Sequence, residues 1–107
     1  MERIEVASVV RIAICGDNDI SNNCIVRLVR EFSFLMSVII FKKPEALLFA
    51  LEDGQCFDTV IMNETFSNSN VSGIIAAERM YDQLPQAKII LIVDYSKKLF
   101  RNCFCMI

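Results

Sequence analysis

The 107-residue chain has no histidine, no tryptophan, two prolines and three glycines. Without histidine, Ser–His and Cys–His nucleophile pairs are impossible. With neither histidine nor a C-x-x-C pair, no zinc-ligand pattern exists. Gly16, Gly54 and Gly73 are scattered, so there is no glycine-rich phosphate loop. No apolar run approaches the length of a membrane span. The first residues carry Glu2, Arg3 and Glu5 rather than an apolar signal core, so no export signal is expected. The net charge of −2 leaves no basic excess, which argues against nucleic-acid binding by this chain alone.

What remains is strongly apolar, at 54% of residues, in a chain sized for one domain with one modest core. Either nearly every element is buried, or some apolar surface awaits a partner. The five cysteines are odd in number, with Cys103 and Cys105 the closest pair. Cys15, Cys24 and Cys56 lie in or beside apolar stretches, and are expected as small core hydrophobes of a reducing, cytoplasmic compartment.

The stretch from Phe57 to Glu64 organises the chain. A short apolar run from Thr59 to Met62 stops at an amide and a carboxylate, Asn63 and Glu64. Such a run reads as a strand buried on both faces. In an open α/β sheet the residues just past the strand's carboxyl end stand at the ligand site.

Other segments alternate around it. Glu2 to Ser8 leads into the first strand or forms a separate edge strand. Val9 to Cys15 reads as a strand that ends at Gly16-Asp17-Asn18-Asp19, whose polar side chains can cap a helix. Ile20 to Phe32 has helical periodicity, with Ile25, Leu28, Val29 and Phe32 on one stripe and Asn22 facing away. Ser37 to Phe41 is β-branched and strand-like. Pro44 opens a second helix with Leu47, Leu48 and Leu51 inward, and Gly54 closes it. After the polar loop from Thr65 to Ser72 comes a third helix, Gly73 to Leu84, with Ile74, Ala77, Met80 and Tyr81 on one side. Lys88 to Val93 is a fourth strand. Leu99 to Ile107 ends the chain in apolar and sulfur-bearing residues. Strands alternating with helices through short loops imply a parallel sheet with right-handed crossovers. No repeat or domain boundary interrupts residues 1–107.

The polar strand ends, Gly16-Asp17-Asn18, Asn63 and Val93-Asp94-Tyr95, resemble those of a response-regulator receiver domain of the CheY-like kind. Local phrasing is similar to LytTR-type regulators: Arg11 to Cys15, Pro44 to Leu48, Phe57-Asp58, Gly73-Ile74 and Pro85 to Ile90. The resemblance covers roughly Val9 to Tyr95. It implies a flavodoxin-like α/β/α fold with strand order 2-1-3-4, the fifth strand missing or replaced.

Receivers move a phosphoryl group from a phosphohistidine onto an aspartate, with Mg²⁺ held by carboxylates. Here the matching positions are degenerate. Asn63 stands at the phosphoacceptor position. Gly16 replaces the first acidic residue and Asp17 keeps the second. Val93 stands at the Thr/Ser switch position. An amide is too poor a nucleophile to form an acyl phosphate, and one firm carboxylate, Asp17, is a weak Mg²⁺ site. The resemblance therefore implies a pseudo-receiver: no enzyme, no cofactor, no metal, acting through protein contacts independently of phosphorylation. Two alternatives stand. One is phosphorylation on a displaced acid, Glu64 or Asp94; the other is small-molecule binding in the strand-end crevice.

Without a fifth strand, Lys88 to Val93 would be a bare aliphatic edge. The tail could cover it as a helix or a surrogate strand, or a second copy could. The expected partner is a second copy or a related regulator, meeting a surface that includes Ile90, Ile92, Leu99, Phe100 and Phe104.

Overall fold

The computed structural model describes residues 9–32, 35–93 and 104–106. Its elements in order are β1 (Val10–Cys15), α1 (Asp19–Arg30), β2 (Met36–Phe41), α2 (Pro44–Glu52), β3 (Thr59–Asn63), α3 (Gly73–Gln83), β4 (Lys88–Ile92) and β5 (Phe104–Met106). One sheet has the order β2-β1-β3-β4-β5. The first four strands are parallel, and β5 runs antiparallel to β4. The fold is flavodoxin-like α/β, as the sequence implied. The fifth strand is replaced rather than absent: Ile90, Leu91 and Ile92 pair with Met106, Cys105 and Phe104. That part of the β4 rim is thus covered by the chain itself.

Local chemistry starts each helix. The Asn18 side chain accepts a hydrogen bond from the Ser21 N–H and caps α1. The Ser72 hydroxyl accepts from the Ile75 N–H and caps α3. Pro44 supplies the first turn of α2. Just beyond α2, Gly54 adopts φ +97°, a left-handed conformation that glycine enters without Cβ strain.

The core lies between the sheet and the α2–α3 layer. Ala13 and Cys15 of β1, Val60 and Met62 of β3, and Ile89 and Leu91 of β4 form adjacent rows. Leu47, Leu51, Ala76, Ala77 and Met80 pack onto them from the helices. Phe57 closes the lower end, edge-on to Phe41 at 5.9 Å between centroids.

Both helical faces are rotated relative to the periodicity. On α1, Asn22 is buried while Leu28 and Phe32 are 59% and 87% exposed. The inward arc is Asn22, Ile25, Val26 and Val29. A polar residue turns inward because its Nδ2 donates to the Gly16 carbonyl at 2.8 Å. Phe32 also lies beyond the end of the helix. On α3, Gly73, Ala76, Ala77 and Met80 are buried, whereas Ile74 and Tyr81 are exposed. Small residues there let the helix approach the sheet, a signal that hydrophobic periodicity underweights. Of the cysteines assigned to the core, Cys15 is buried but Cys24 and Cys56 are exposed.

Candidate functional site

The carboxyl ends of β1, β3 and β4 converge on a cavity of about 320 Å³, lined by Asp17, Ser21, Asn63, Glu64, Thr65 and Ile92. The strand pairing explains the convergence. Cys15 is in register with Met62, and Asn63 with Ile92. The Glu64 N–H donates to the Ile92 carbonyl at 2.9 Å, extending the ladder past the strand end.

Two glycines permit this geometry. A Cβ on Gly16 would stand 2.6 Å from Asn22 Oδ1 and 2.8 Å from Asn63 Nδ2. The two amide side chains therefore close over Gly16, in space that a first acidic residue would need. A Cβ on Gly73 would overlap the Asn63 carbonyl oxygen at 1.9 Å. Its N–H donates to the Glu64 carbonyl at 2.7 Å. This glycine lets the start of α3 lie directly on the end of β3.

The β3–α3 loop is tied down at three places. Asp17 Oδ2 accepts from both the N–H and the hydroxyl of Ser67, each at 2.8 Å. Asn68 Nδ2 donates to the Lys42 carbonyl at 3.2 Å. The Ser69 hydroxyl lies 2.8 and 2.7 Å from the two Glu45 carboxylate oxygens and accepts from the Val71 N–H. The loop is thus a strap joining the β1–α1 loop, the β2–α2 loop and the start of α2. Both carboxylates are held below their ordinary pKa: Asp17 chiefly by the Ser67 N–H and then its hydroxyl, Glu45 chiefly by the Ser69 hydroxyl. Cys15, behind the site, is pushed up to about 12 by burial, with Glu45 and Asp17 adding to the effect. Its thiol stays protonated at neutral pH and is no nucleophile.

Of the residues singled out in the sequence, Asp17, Asn63 and Glu64 come together, with Gly16 directly beneath. Val93 is half-exposed just past β4, and Ile92 is the β4 residue that lines the cavity. Asp17 and Asp19 do not cap α1: Asn18 does, Asp17 holds Ser67, and Asp19 pairs with Lys42 at 2.9 Å. Asp94, Leu99 and Phe100 lie outside the described residues, as does Glu2 to Ser8. The sequence reading missed Asn22, Ser67, Ser69 and Glu45. The serine-rich composition of the loop was the available signal, but its partner Asp17 lies fifty positions away.

These donors fit Mg²⁺ poorly. It wants near-octahedral oxygen ligation with carboxylates, while one Asp17 oxygen already takes two bonds from Ser67 and the neighbouring positions are Gly16 and an amide. Among the described residues, no three His, Cys, Asp or Glu side chains are grouped to hold a metal.

The structure is similar to that of RcsB from Salmonella enterica serovar Typhimurium, a response regulator solved bound to promoter DNA with the phosphomimetic BeF₃⁻. The TM-score is 0.63 at 18% identity, over 80% of this chain and 43% of that one. The parallel sheet in order 2-1-3-4 fits a CheY-like, flavodoxin-like α/β fold. The chain spans less than half the length of this neighbour. No protein-family model matches, and no curated protein does.

Proposed function

We propose that this chain is a pseudo-receiver, a protein-interaction module of two-component-type signalling that acts without phosphorylation. The observation that carries the reading is the strand-end cavity. An amide stands where the phosphoacceptor would, a side chain at Gly16 would have to displace the ends of Asn22 and Asn63, and Asp17 is engaged by Ser67. Phosphoryl transfer to Asn63 would require a neutral amide, a poor nucleophile, to attack phosphorus and expel the donor's leaving group. The displaced-acid alternative rests on Glu64, which lines the same cavity. The small-molecule alternative has only its polar, open walls.

The partner is another protein, either a second copy or a related regulator. Strand pairing along Ile90 to Ile92 is the less favoured route to it, because β5 already takes that rim. Side-chain surfaces are the better candidates.

The test is incubation of the full chain with acetyl phosphate and Mg²⁺, followed by intact-mass measurement. The expected result is no acid-stable, base-labile gain of a phosphoryl group. An adduct abolished by Glu64→Gln would establish the displaced-acid reading instead.

A further inference from the structure

α1 carries two apolar faces. The inward one, Ile25, Val26 and Val29 beside Asn22, packs on β1 and β2. The outward one is a row at four-residue spacing: Ile20, Cys24 and Leu28. All three are exposed, Ile20 at 77%. Phe32, just past the helix, continues the spacing and is exposed as well. Residues four apart are neighbours on one side of a helix, so these groups form a ridge. An exposed apolar residue standing singly needs no explanation, whereas a contiguous exposed ridge marks a contact surface.

Two features of α1 select what covers that ridge. Within the helix the row is symmetric about its middle, with Ile20 and Leu28 equally far from Cys24, the smallest of the three. A second α1 laid antiparallel across it sets Ile20 against Leu28 twice and Cys24 against Cys24. The helix ends also carry opposite charge, Asp19 in the first turn and Arg27 and Arg30 in the last. Among the described residues neither arginine makes an ion pair, and Lys42 takes only Oδ1 of Asp19. An antiparallel pair brings each Arg27 toward the partner's Asp19 and opposes the two helix dipoles favourably. A parallel pair would set arginine against arginine and aspartate against aspartate.

We infer that α1 is a dimer surface: a second copy of this chain docks antiparallel along Ile20, Cys24 and Leu28, with both Cys24 residues at the two-fold axis. Each contact then occurs twice and the assembly closes. The inference rests on the pseudo-receiver reading only in taking a second copy as the protein partner. A chain that dimerised through α1 and still took a phosphoryl group would sink that reading alone; an unphosphorylated monomer would sink this inference alone.

The test is sedimentation equilibrium of the full chain, with cross-linking to fix the register. One helix pair is smaller than a standard interface, so the expected result is a reversible dimer with a Kd of about 10–100 μM, weakened by salt. Leu28→Lys weakens it at least tenfold. Asp19→Arg and Arg27→Glu each weaken it several-fold, and mixing the two variants restores association, because every reversed charge then meets its complement. Circular dichroism of each variant separates misfolding from lost docking. The cross-link needs no variant. At the about 8–10 Å separation of packed helices, with Cα atoms about 2.3 Å off each axis, facing cysteines come within disulfide reach. An equal mixture of ¹⁴N and ¹⁵N chains is oxidised with Cu(II)–phenanthroline, which takes up the two electrons from each thiol pair. Mass spectrometry is expected to find mixed-isotope Cys24–Cys24 links in excess of those at the exposed Cys56. A monomer up to roughly 1 mM overturns the proposal, as does a dimer indifferent to Leu28→Lys or one that forms no Cys24–Cys24 link.

Discussion

Gly16 and Gly73 act through the side chain they lack. At Gly16 a methyl group would press on two amide side chains, one of them the buried Asn22. Gly16→Ala is therefore expected to cost about 1–3 kcal/mol, the usual range for overpacking. At Gly73 the obstacle is backbone, which yields less than a side chain, so Gly73→Ala is expected to cost more than Gly16→Ala. Urea unfolding of the two variants beside wild type checks both the magnitude and the order. Asp17 gives a pH prediction. Its folded pKa lies below that of an ordinary aspartate, so its stabilisation is present above the ordinary value and is lost as pH falls through the folded pKa. The Ser67 amide resonance is expected to titrate with a midpoint below that of an ordinary aspartate. Ser67→Ala removes the hydroxyl bond and is expected to move the Asp17 midpoint upward. Cys15 was legible as a core residue from its apolar strand. Asn22 was not, because a polar residue in a helix reads as solvated until its buried acceptor, the Gly16 carbonyl, is known.

At the scale of elements, the β3–α3 strap is the feature that sequence concealed. A stretch with three serines and two asparagines reads as a flexible polar loop. Its hydroxyls and amide are instead spent on Asp17, Lys42 and Glu45. Ser67→Ala with Ser69→Ala is expected to accelerate amide hydrogen exchange across residues 65–71 by several-fold. Exchange in β1 and β3 should change little, since the apolar rows there do not depend on the strap. Equal acceleration everywhere would show a global loss of stability rather than release of a strap. The strands were the most legible elements, because short β-branched runs between turn residues have few other uses. The inward faces of α1 and α3 were less so: α1 is oriented by a buried amide and α3 by alanines, neither of which stands out in a hydrophobic pattern.

For the whole molecule, replacing a parallel fifth strand by the short antiparallel β5 changes which surfaces are open. The β4 rim is covered from Ile90 to Ile92. Exposed apolar side chains gather elsewhere, with Ile20, Leu28 and Phe32 on or beside α1 and Phe49 on α2. Deleting residues 104–107 bares an aliphatic strand edge and is expected to raise aggregation and dye binding to exposed apolar surface. Light scattering and ANS fluorescence would register it; an unchanged monodisperse protein would mean that β5 contributes nothing to covering the edge.

The sequence by itself determined the alternation of strands and helices, the parallel sheet and the identities at the strand ends. These follow from local periodicity, capping and residue type, which act over a few positions. Only the tertiary structure decided that Asn22 and Asn63 close over Gly16, that Ser67 engages Asp17, and that Ser69 engages Glu45. Those contacts join residues far apart in the chain. Strand register and helix rotation create them, and both are settled by packing the whole core rather than by any one segment.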